Sequence, residues 1–352
     1  MQMYNGTSNV LGLMSGTSLD GMDAALVRFS EGDQVLWELL EYRHFQYPKE
    51  LLELVKKAFS SPDLLPAVDI AFAEWSIECI KTTAQDSPHH IDLIGTHGQT
   101  IFHQPERKWT YQAGCMPFIS TRTGIPVVAN FRIQDILLGG QGAPLVPFGD
   151  MVLFGEYEAA LNIGGFVNVS LGKPLLKDGV SAAFDICPAN IVLNQFAQEL
   201  NADFDNNGEW AREGAINQWV LDELDSLAYY ELPGPKSLGS EWVESKFIQH
   251  LDILSPKDAL ATCVEHMVHQ IDSVLHNKRV FVTGGGALNK YLIERLEYAG
   301  VQCVLPSKTM VDAKEAIIFA LLAYKRMRGE NNVLGHTTGS IIDHSSGCIF
   351  NP

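Results

Sequence analysis

The chain has 352 residues, 46% apolar and 19% charged, the composition of an ordinary globular protein long enough for two domains. Its 42 acidic against 25 basic residues leave a net charge of −17, which disfavours nucleic acid and anionic membrane surfaces as partners. A phosphate-bearing ligand would have to be neutralised by loop amides and a divalent cation more than by lysines. The six cysteines (Cys79, Cys115, Cys187, Cys263, Cys303, Cys348) form no CxxC pair, so neither a zinc site nor a disulfide framework is expected. No signal-peptide pattern opens the chain and no apolar run reaches the roughly 18 residues of a membrane span, so the reduced cytoplasm is the expected compartment.

In chain order, Val10–Leu13, Asp23–Phe29 and Val35–Tyr42 read as a three-stranded meander. Its first bend carries Gly12-Leu13-Met14-Ser15-Gly16-Thr17-Ser18-Leu19-Asp20-Gly21-Met22-Asp23. Glycines bring backbone N–H groups close to a ligand and hydroxyls add donors, so such a loop can cradle phosphate oxygens, with Asp20 and Asp23 left for a metal or its waters. It lacks the Gly-Lys-Ser/Thr of a Walker loop, and an extended run follows it where a dinucleotide-binding turn would open a helix. A plain glycine-rich turn fits the same residues.

Helical spacing follows over Pro48–Ser60 and Ala67–Ala84, then a short strand over Ile91–Gly95. That strand leads into His97-Gly98-Gln99-Thr100, a polar group at a strand end that suits a hydroxylated ligand, although His97 alone reads as a structural histidine. After the strand Val127–Ala129 come Arg132 and Asp135, which either pair with each other or leave Arg132 to bind a carboxylate or phosphate. A glycine-rich stretch, Gly139 to Pro147, is expected to end at a helix beginning near Pro144. Phe148-Gly149-Asp150 reads as a turn toward a second domain.

From Ala159 the opening pattern recurs: a strand to Ile163, the turn Gly164-Gly165, and a return strand Phe166–Leu171, which suggests an internal duplication. Ala182–Phe184 ends at Asp185, and a helix is expected from about Pro188 with Asn190 in its first turn. Asp185 fits either a helix cap, the simpler reading, or a general base in a cleft. Pro256–Leu275 is a long helix. Val280–Thr283 is a strand running into Gly284-Gly285-Gly286, where the backbone can pass close to a flat ring or a phosphate. Asp312–Arg328 closes the pattern as a helix with Glu315 in its first turn.

These segments occur together and in order: the opening loop, His97-Gly98-Gln99-Thr100, Gly139 to Pro147, Leu161-Asn162-Ile163-Gly164-Gly165, Asp185 with Pro188 and Asn190, Pro235-Lys236-Ser237, and the glycine triplet. Over nearly its whole length the chain resembles the 1,6-anhydro-N-acetylmuramic acid kinase family. The resemblance implies an α/β fold of two duplicated actin-like (ribonuclease-H-like) domains, with mixed sheets flanked by helices and a central cleft. Domain one would be 1–156, with the tail from about 331 packing back on it, and domain two 157–330. It also implies ATP, Mg²⁺ and an amino-sugar substrate, with a second copy of the chain as a candidate partner.

The resemblance carries over site residues as well. Asp185 matches the family's catalytic base. Gly12, Ser15, Gly16, Thr17, Ser18, Asp20, Gly21 and Asp23 match its ATP-phosphate loop, with Asp20 and Asp23 orienting the metal through water. Gly164, Gly165, Gly284, Gly285 and Gly286 fall on the nucleotide side. His97, Gly98, Gln99, Thr100, Arg132, Asp135, Asn190 and Glu315 fall on the sugar side. Departures occur beside the base, where the family's Thr-Gly-Pro-Gly-Asn is Ile186-Cys187-Pro188-Ala189-Asn190. Others are Asn130 for Asp, Lys290 for Pro, and Phe148-Gly149-Asp150 within the family's Pro-Ala-Phe-His stretch. A kinase for another anhydro or amino sugar, or a nucleotide-binding sensor without turnover, remains open from the sequence.

Overall fold

The computed structural model describes residues 6–16, 18–32, 35–172, 183–233 and 236–352. They divide into two compact units, 1–153 with 312–352, and 154–311.

The first unit is built on a six-stranded sheet. β1 (Ser8–Met14), β2 (Gly21–Ser30) and β3 (Leu36–Gln46) form the antiparallel meander, and β4 (Leu93–Thr96) and β7 (Val127–Ala129) continue it in parallel on the other side of β1. A short hairpin, β5 (Gln99–Gln104) with β6 (Trp109–Ala113), stands apart as its own sheet. The sequence reading missed this hairpin, because its strands carry polar residues on both faces. Helices α1 (Lys49–Ala58), α2 (Leu65–Asp86) and α3 (Phe118–Thr123) pack into one core with the apolar faces of β1, β2 and β4. α2 takes Pro66 in its first turn and stops at the extended Ser87, the residue before Pro88.

Two shorter helices, α4 (Ile133–Leu137) and α5 (Val146–Leu153), follow β7. Phe148-Gly149-Asp150 therefore lies inside a helix and not in a turn. Gly149 is there for contact, since a methyl group on it would run into Ile318.

In the second unit, β8 (Ala159–Ile163), β9 (Phe166–Leu171) and β10 (Ala183–Pro188) form an antiparallel meander, and β11 (Arg279–Thr283) and β12 (Gln302–Val304) extend it in parallel beyond β8. The order β10-β9-β8-β11-β12 repeats β3-β2-β1-β4-β7 strand for strand, with the same directions. The duplication expected from two glycine turns is thus carried by the whole topology. Around this sheet lie α6 (Asn190–Glu199), α7 (Glu209–Glu213), α8 (Gln218–Asp225), α9 (Pro256–Leu275) and α10 (Lys290–Ala299). α9 is started by Ser255, whose hydroxyl accepts the Asp258 N–H, and by Pro256 behind it.

Last come α11 (Lys308–Met327), α12 (Gly335–Thr338) and the edge strand β13 (Cys348–Phe350), antiparallel to β7. The sequence reading kept residues up to 330 in the second domain, whereas those from Asp312 onward belong to the first unit. The cause is glycine. Gly12 and Gly95 are paired neighbours on β1 and β4, and a methyl group on either would collide with the α11 backbone, at the carbonyls of Ala316 and Phe319. The helix therefore lies against bare strand backbone and buries Ile317, Ile318, Phe319, Leu321 and Leu322, each worth about 1.5–3 kcal/mol.

Candidate functional site

Asp185 sits in strand β10, at a bulge where the pairing with β9 shifts. It caps no helix: α6 begins five residues later, behind Ala189, without a side-chain cap. That removes the simpler of the two sequence readings. One carboxylate oxygen accepts the Asn168 amide, and the other accepts the Leu238 N–H at 2.8 Å. Its own N–H donates to the Lys236 carbonyl, and its carbonyl accepts the Tyr229 hydroxyl. Burial raises the carboxyl pKa above the ordinary aspartate value, against the two bonds that favour the charged form.

Register explains why Asn168 is there. Thr283, Asn162, Asn168 and Asp185 are direct partners across β11, β8, β9 and β10, one polar row over four strands. Asn162 donates to Asn168, which donates to Asp185, so the row is oriented toward the carboxylate. The sequence reading missed Asn162, Asn168, Tyr229 and Leu238 as site residues. Two asparagines, one two residues before and one three residues after the Gly164-Gly165 turn, in largely apolar strands, were the available signal.

The glycines fall into two groups. Gly12, Gly21, Gly95, Gly284 and Gly286 are packed so that an added methyl would strike protein atoms. At Gly16, Gly164, Gly165 and Gly285 an added methyl would meet only ordinary van der Waals neighbours, so protein packing does not require glycine there. Gly12 and Gly21, expected in the phosphate loop, are instead needed for close packing on α11 and on β3. Gly284, in the left-handed region at φ 84°, abuts Asn162 at the end of the polar row. The Gly164 and Gly165 carbonyls accept the N–H groups of Ala189, Asn190 and Ile191, so this turn holds the start of α6. Gly164, Gly165 and the Asn190, Ile191, Asn194, Gln195 and Gln198 face of α6 line a recess of about 520 Å³.

In the first unit, the loop after β1 is anchored from below. Ser15 Oγ, Tyr47 OH and Gln99 Oε1 form a triangle with sides of 2.7, 2.8 and 2.8 Å, and Ser15 Oγ also lies 3.0 Å from the Gly21 carbonyl. Ser15 and Gln99 are buried, so their side chains fix the loop's base. Above it, Ser18 donates to Asp20 at an exposed position. Thr17 lies outside the described residues. Asp23 Oδ1 accepts from Tyr42 OH and from His44, its cross-strand partner. The remaining oxygens, Asp20 Oδ2 and Asp23 Oδ2, have no hydrogen bond among the described residues. Hard carboxylate oxygens of this kind fit a cation that keeps most of its waters.

His97 and Arg132 form one unit. His97 Nε2 accepts from Arg132 Nε at 3.0 Å and Nη2 at 2.9 Å, and its Nδ1 faces the Gly98 carbonyl at 2.9 Å. Arginine can only donate, so the ring is neutral with its proton on Nδ1. Burial first and Arg132 second hold the His97 pKa at about 3. Arg132 Nη1 donates to the Gly142 carbonyl, tying the glycine-rich loop to the pair. Desolvation lowers the Arg132 pKa to about 10, opposed by Glu315. Gly98, at φ 71°, makes the turn from β4, and Thr100 follows it on β5.

Asp135 corrects the sequence reading. It makes no bond to Arg132 and is 0% exposed. Its Oδ2 accepts the Gly142 N–H at 2.6 Å and its Oδ1 the Thr338 hydroxyl at 2.6 Å, clamping the glycine-rich loop to the tail.

Each departure beside the base has a local explanation. Ile186, Cys187 and Ala189 are buried in the core of the second unit, and burial pushes the Cys187 thiol well up. Asn130 holds φ 58°, a region that asparagine and aspartate both tolerate. Asn289 still caps α10 through the Leu292 N–H, with Lys290 where proline would start the helix.

A family model described as anhydro-N-acetylmuramic acid kinase matches residues 8–352. The anhydro-N-acetylmuramic acid kinase of Haemophilus influenzae is 35% identical, with 97% of each chain covered. That of Vibrio cholerae is also 35% identical, over 97% of this chain and 98% of the relative. Among solved structures, the (R)-2-hydroxyglutaryl-CoA dehydratase component A of Acidaminococcus fermentans is similar at a TM-score of 0.46 and 14% identity, over 91% of this chain and 99% of that one.

Proposed function

The chain belongs to the anhydro-N-acetylmuramic acid kinase family, and from that premise we propose that it uses ATP to open 1,6-anhydro-N-acetylmuramic acid and phosphorylate it at O6. Water adds at the anomeric carbon, the bond from that carbon to O6 breaks, O6 takes the γ-phosphoryl group, and ADP leaves. The product is N-acetylmuramic acid 6-phosphate, an intermediate of cell-wall recycling.

The observation that carries this reading is the environment of Asp185. A carboxylate has about four acceptor positions, and Asn168 and Leu238 take two. The others can receive a proton from water. A raised pKa makes this group a stronger base than an ordinary aspartate. The Asn162–Asn168 row fixes its orientation, so the base needs no rearrangement before it acts.

Gly16, Gly165 and Gly285 are the proposed points of backbone contact with ATP phosphates, with Gly164 beside them donating its own N–H to the Phe166 carbonyl. Asp20 and Asp23 would hold Mg²⁺ through its waters, and the ion would offset the phosphoryl charge. On the sugar side, Arg132 has N–H groups beyond the three that His97 and Gly142 use, and these suit the carboxylate of the substrate. His97, Gln99 and Asp135 then act by positioning. Ile186, Cys187 and Ala189 turn into the core, which supports reading these departures as packing changes and not as a change of sugar.

The test is mass spectrometry after incubation with Mg-ATP and 1,6-anhydro-N-acetylmuramic acid. The expected product has gained both water and phosphate. Unchanged sugar, under conditions where ATP binds, would overturn the proposal.

A further inference from the structure

A buried hydrogen-bonded chain in the second unit ends at the segment that grips Asp185, and nothing in the reaction as described uses it. His266, on α9, is 0% exposed. Its Nδ1 lies 2.6 Å from Asp225 Oδ1 and its Nε2 2.7 Å from Tyr230 OH. Asp225 also receives His269 Nδ1 at 2.7 Å and Gln270 Nε2 at 2.9 Å. A neutral ring satisfies both neighbours in one way only: Nδ1–H donates to the carboxylate and Nε2 accepts from the phenol.

Beyond Tyr230 the chain runs through backbone. Lys236 Nζ donates to the Tyr229 and Tyr230 carbonyls at 3.1 and 3.4 Å, and lies 4.6 Å from the centre of the Tyr229 ring. The Lys236 carbonyl accepts the Asp185 N–H, and two residues on the Leu238 N–H donates to Asp185 Oδ2. Tyr229 closes the loop by donating to the Asp185 carbonyl. Three of the bonds that place Asp185 thus come from Tyr229, Lys236 and Leu238, and Tyr230 beside them is fastened to α9 through His266.

We propose that His266 and Tyr230 form a positioning relay that holds residues 229–233 and 236–238 against Asp185 and so fixes the base for water activation. The inference rests on the reading of Asp185 as the base. An isolated buried His–Asp pair would stabilise α8 against α9 and nothing more. The relay adds the Tyr230 link and predicts that this link alone carries the effect on turnover.

Two half-mimics separate these roles. His266→Asn places an amide N–H near Nδ1 and keeps the Asp225 bond but loses Tyr230. His266→Gln places a carbonyl near Nε2 and keeps Tyr230. Tyr230→Phe removes only the hydroxyl. Each variant is measured for turnover with Mg-ATP and the anhydro sugar, and for amide hydrogen exchange at Asp185 and Leu238. His266→Asn and Tyr230→Phe are expected to lower kcat about tenfold, as lost orienting partners do, with the KM for ATP unchanged. Both are expected to speed exchange at Asp185 and Leu238 while β8 and α9 stay protected, and His266→Gln to restore both readouts. The exchange pattern without wild-type turnover would support the relay and refute the proposed reaction. Unchanged exchange at Leu238, exchange rising throughout the unit, or equal behaviour of the Asn and Gln variants would overturn the relay.

Discussion

The two sheets share one strand order and one set of directions, yet the same row is polar throughout in one and broken by two apolar residues in the other. In the second unit the row reads Thr283, Asn162, Asn168, Asp185. The matching pairs in the first unit join Thr96 to Leu13, Leu13 to Ala24, and Ala24 to Arg43. Arg43 turns to Asp86 and Glu41. One step back, the first unit has Gly12 beside Gly95, where the second has Leu161 beside Val282. A duplicated fold has thus been specialised by register. One copy gave up side chains so that a helix could lie on its strands, and the other gained a chain of amides ending in a carboxylate.

The largest expected effect tests the polar row. Asp185→Asn keeps the shape and removes the base, so kcat should fall by about 10²–10⁴-fold while ATP binding, measured by calorimetry, persists. In the wild type, kcat/KM should decline as pH falls through the raised Asp185 pKa, at a higher pH than an ordinary aspartate would give, because only the ionised carboxylate accepts a proton. A residual Asp185→Asn activity with the same acid limb would assign that limb to another group.

Next come the glycines. Gly12→Ala should destabilise the protein by about 3 kcal/mol, read from denaturant unfolding, because the α11 backbone has nowhere to go. Gly165→Ala, whose methyl would only touch Ile191 at van der Waals distance, should stay within about 0.5 kcal/mol yet weaken ATP binding. Equal stability losses would erase the distinction between packed and open glycines. Asp135→Asn should cost about 1–3 kcal/mol of stability through the Gly142 and Thr338 bonds. If it instead raised the KM for the sugar at unchanged stability, Asp135 would belong to the ligand surface.

At neutral pH the smallest effect concerns His97, whose contribution shows only on acidification. With a folded pKa near 3 and an ordinary value of 6.5, the unfolded chain takes up a proton first as pH falls. Stability should therefore drop progressively between about pH 6.5 and 3, and His97→Gln should flatten that slope. An unchanged slope would place the titration elsewhere.

Legibility followed the range of the interactions. Both glycine turns, most strands and the long helices rest on neighbours in sequence, and their patterns were readable. Asp185 could be singled out, but its strand was read as ending there and its partners were invisible, since Leu238 is 53 residues away. Asp135 was misread for the same reason, because the hydroxyl that claims it lies 203 residues on. Helix α5 was hidden by Phe148-Gly149-Asp150, three residues that spell a turn locally and spell close packing on Ile318 in the fold.

The turn at Gly164-Gly165 spends its carbonyls on the first amides of α6, including Ala189, one residue past the end of β10. The start of that helix is therefore already satisfied and has no amides to lend to an anion from those three residues. What it offers instead is mechanical. The turn and Ala189, four residues along the chain from Asp185, are tied by main-chain hydrogen bonds into one bracket. On the proposed reading, a phosphate meeting the turn would bear on backbone that leads straight to the base, with no side chain between.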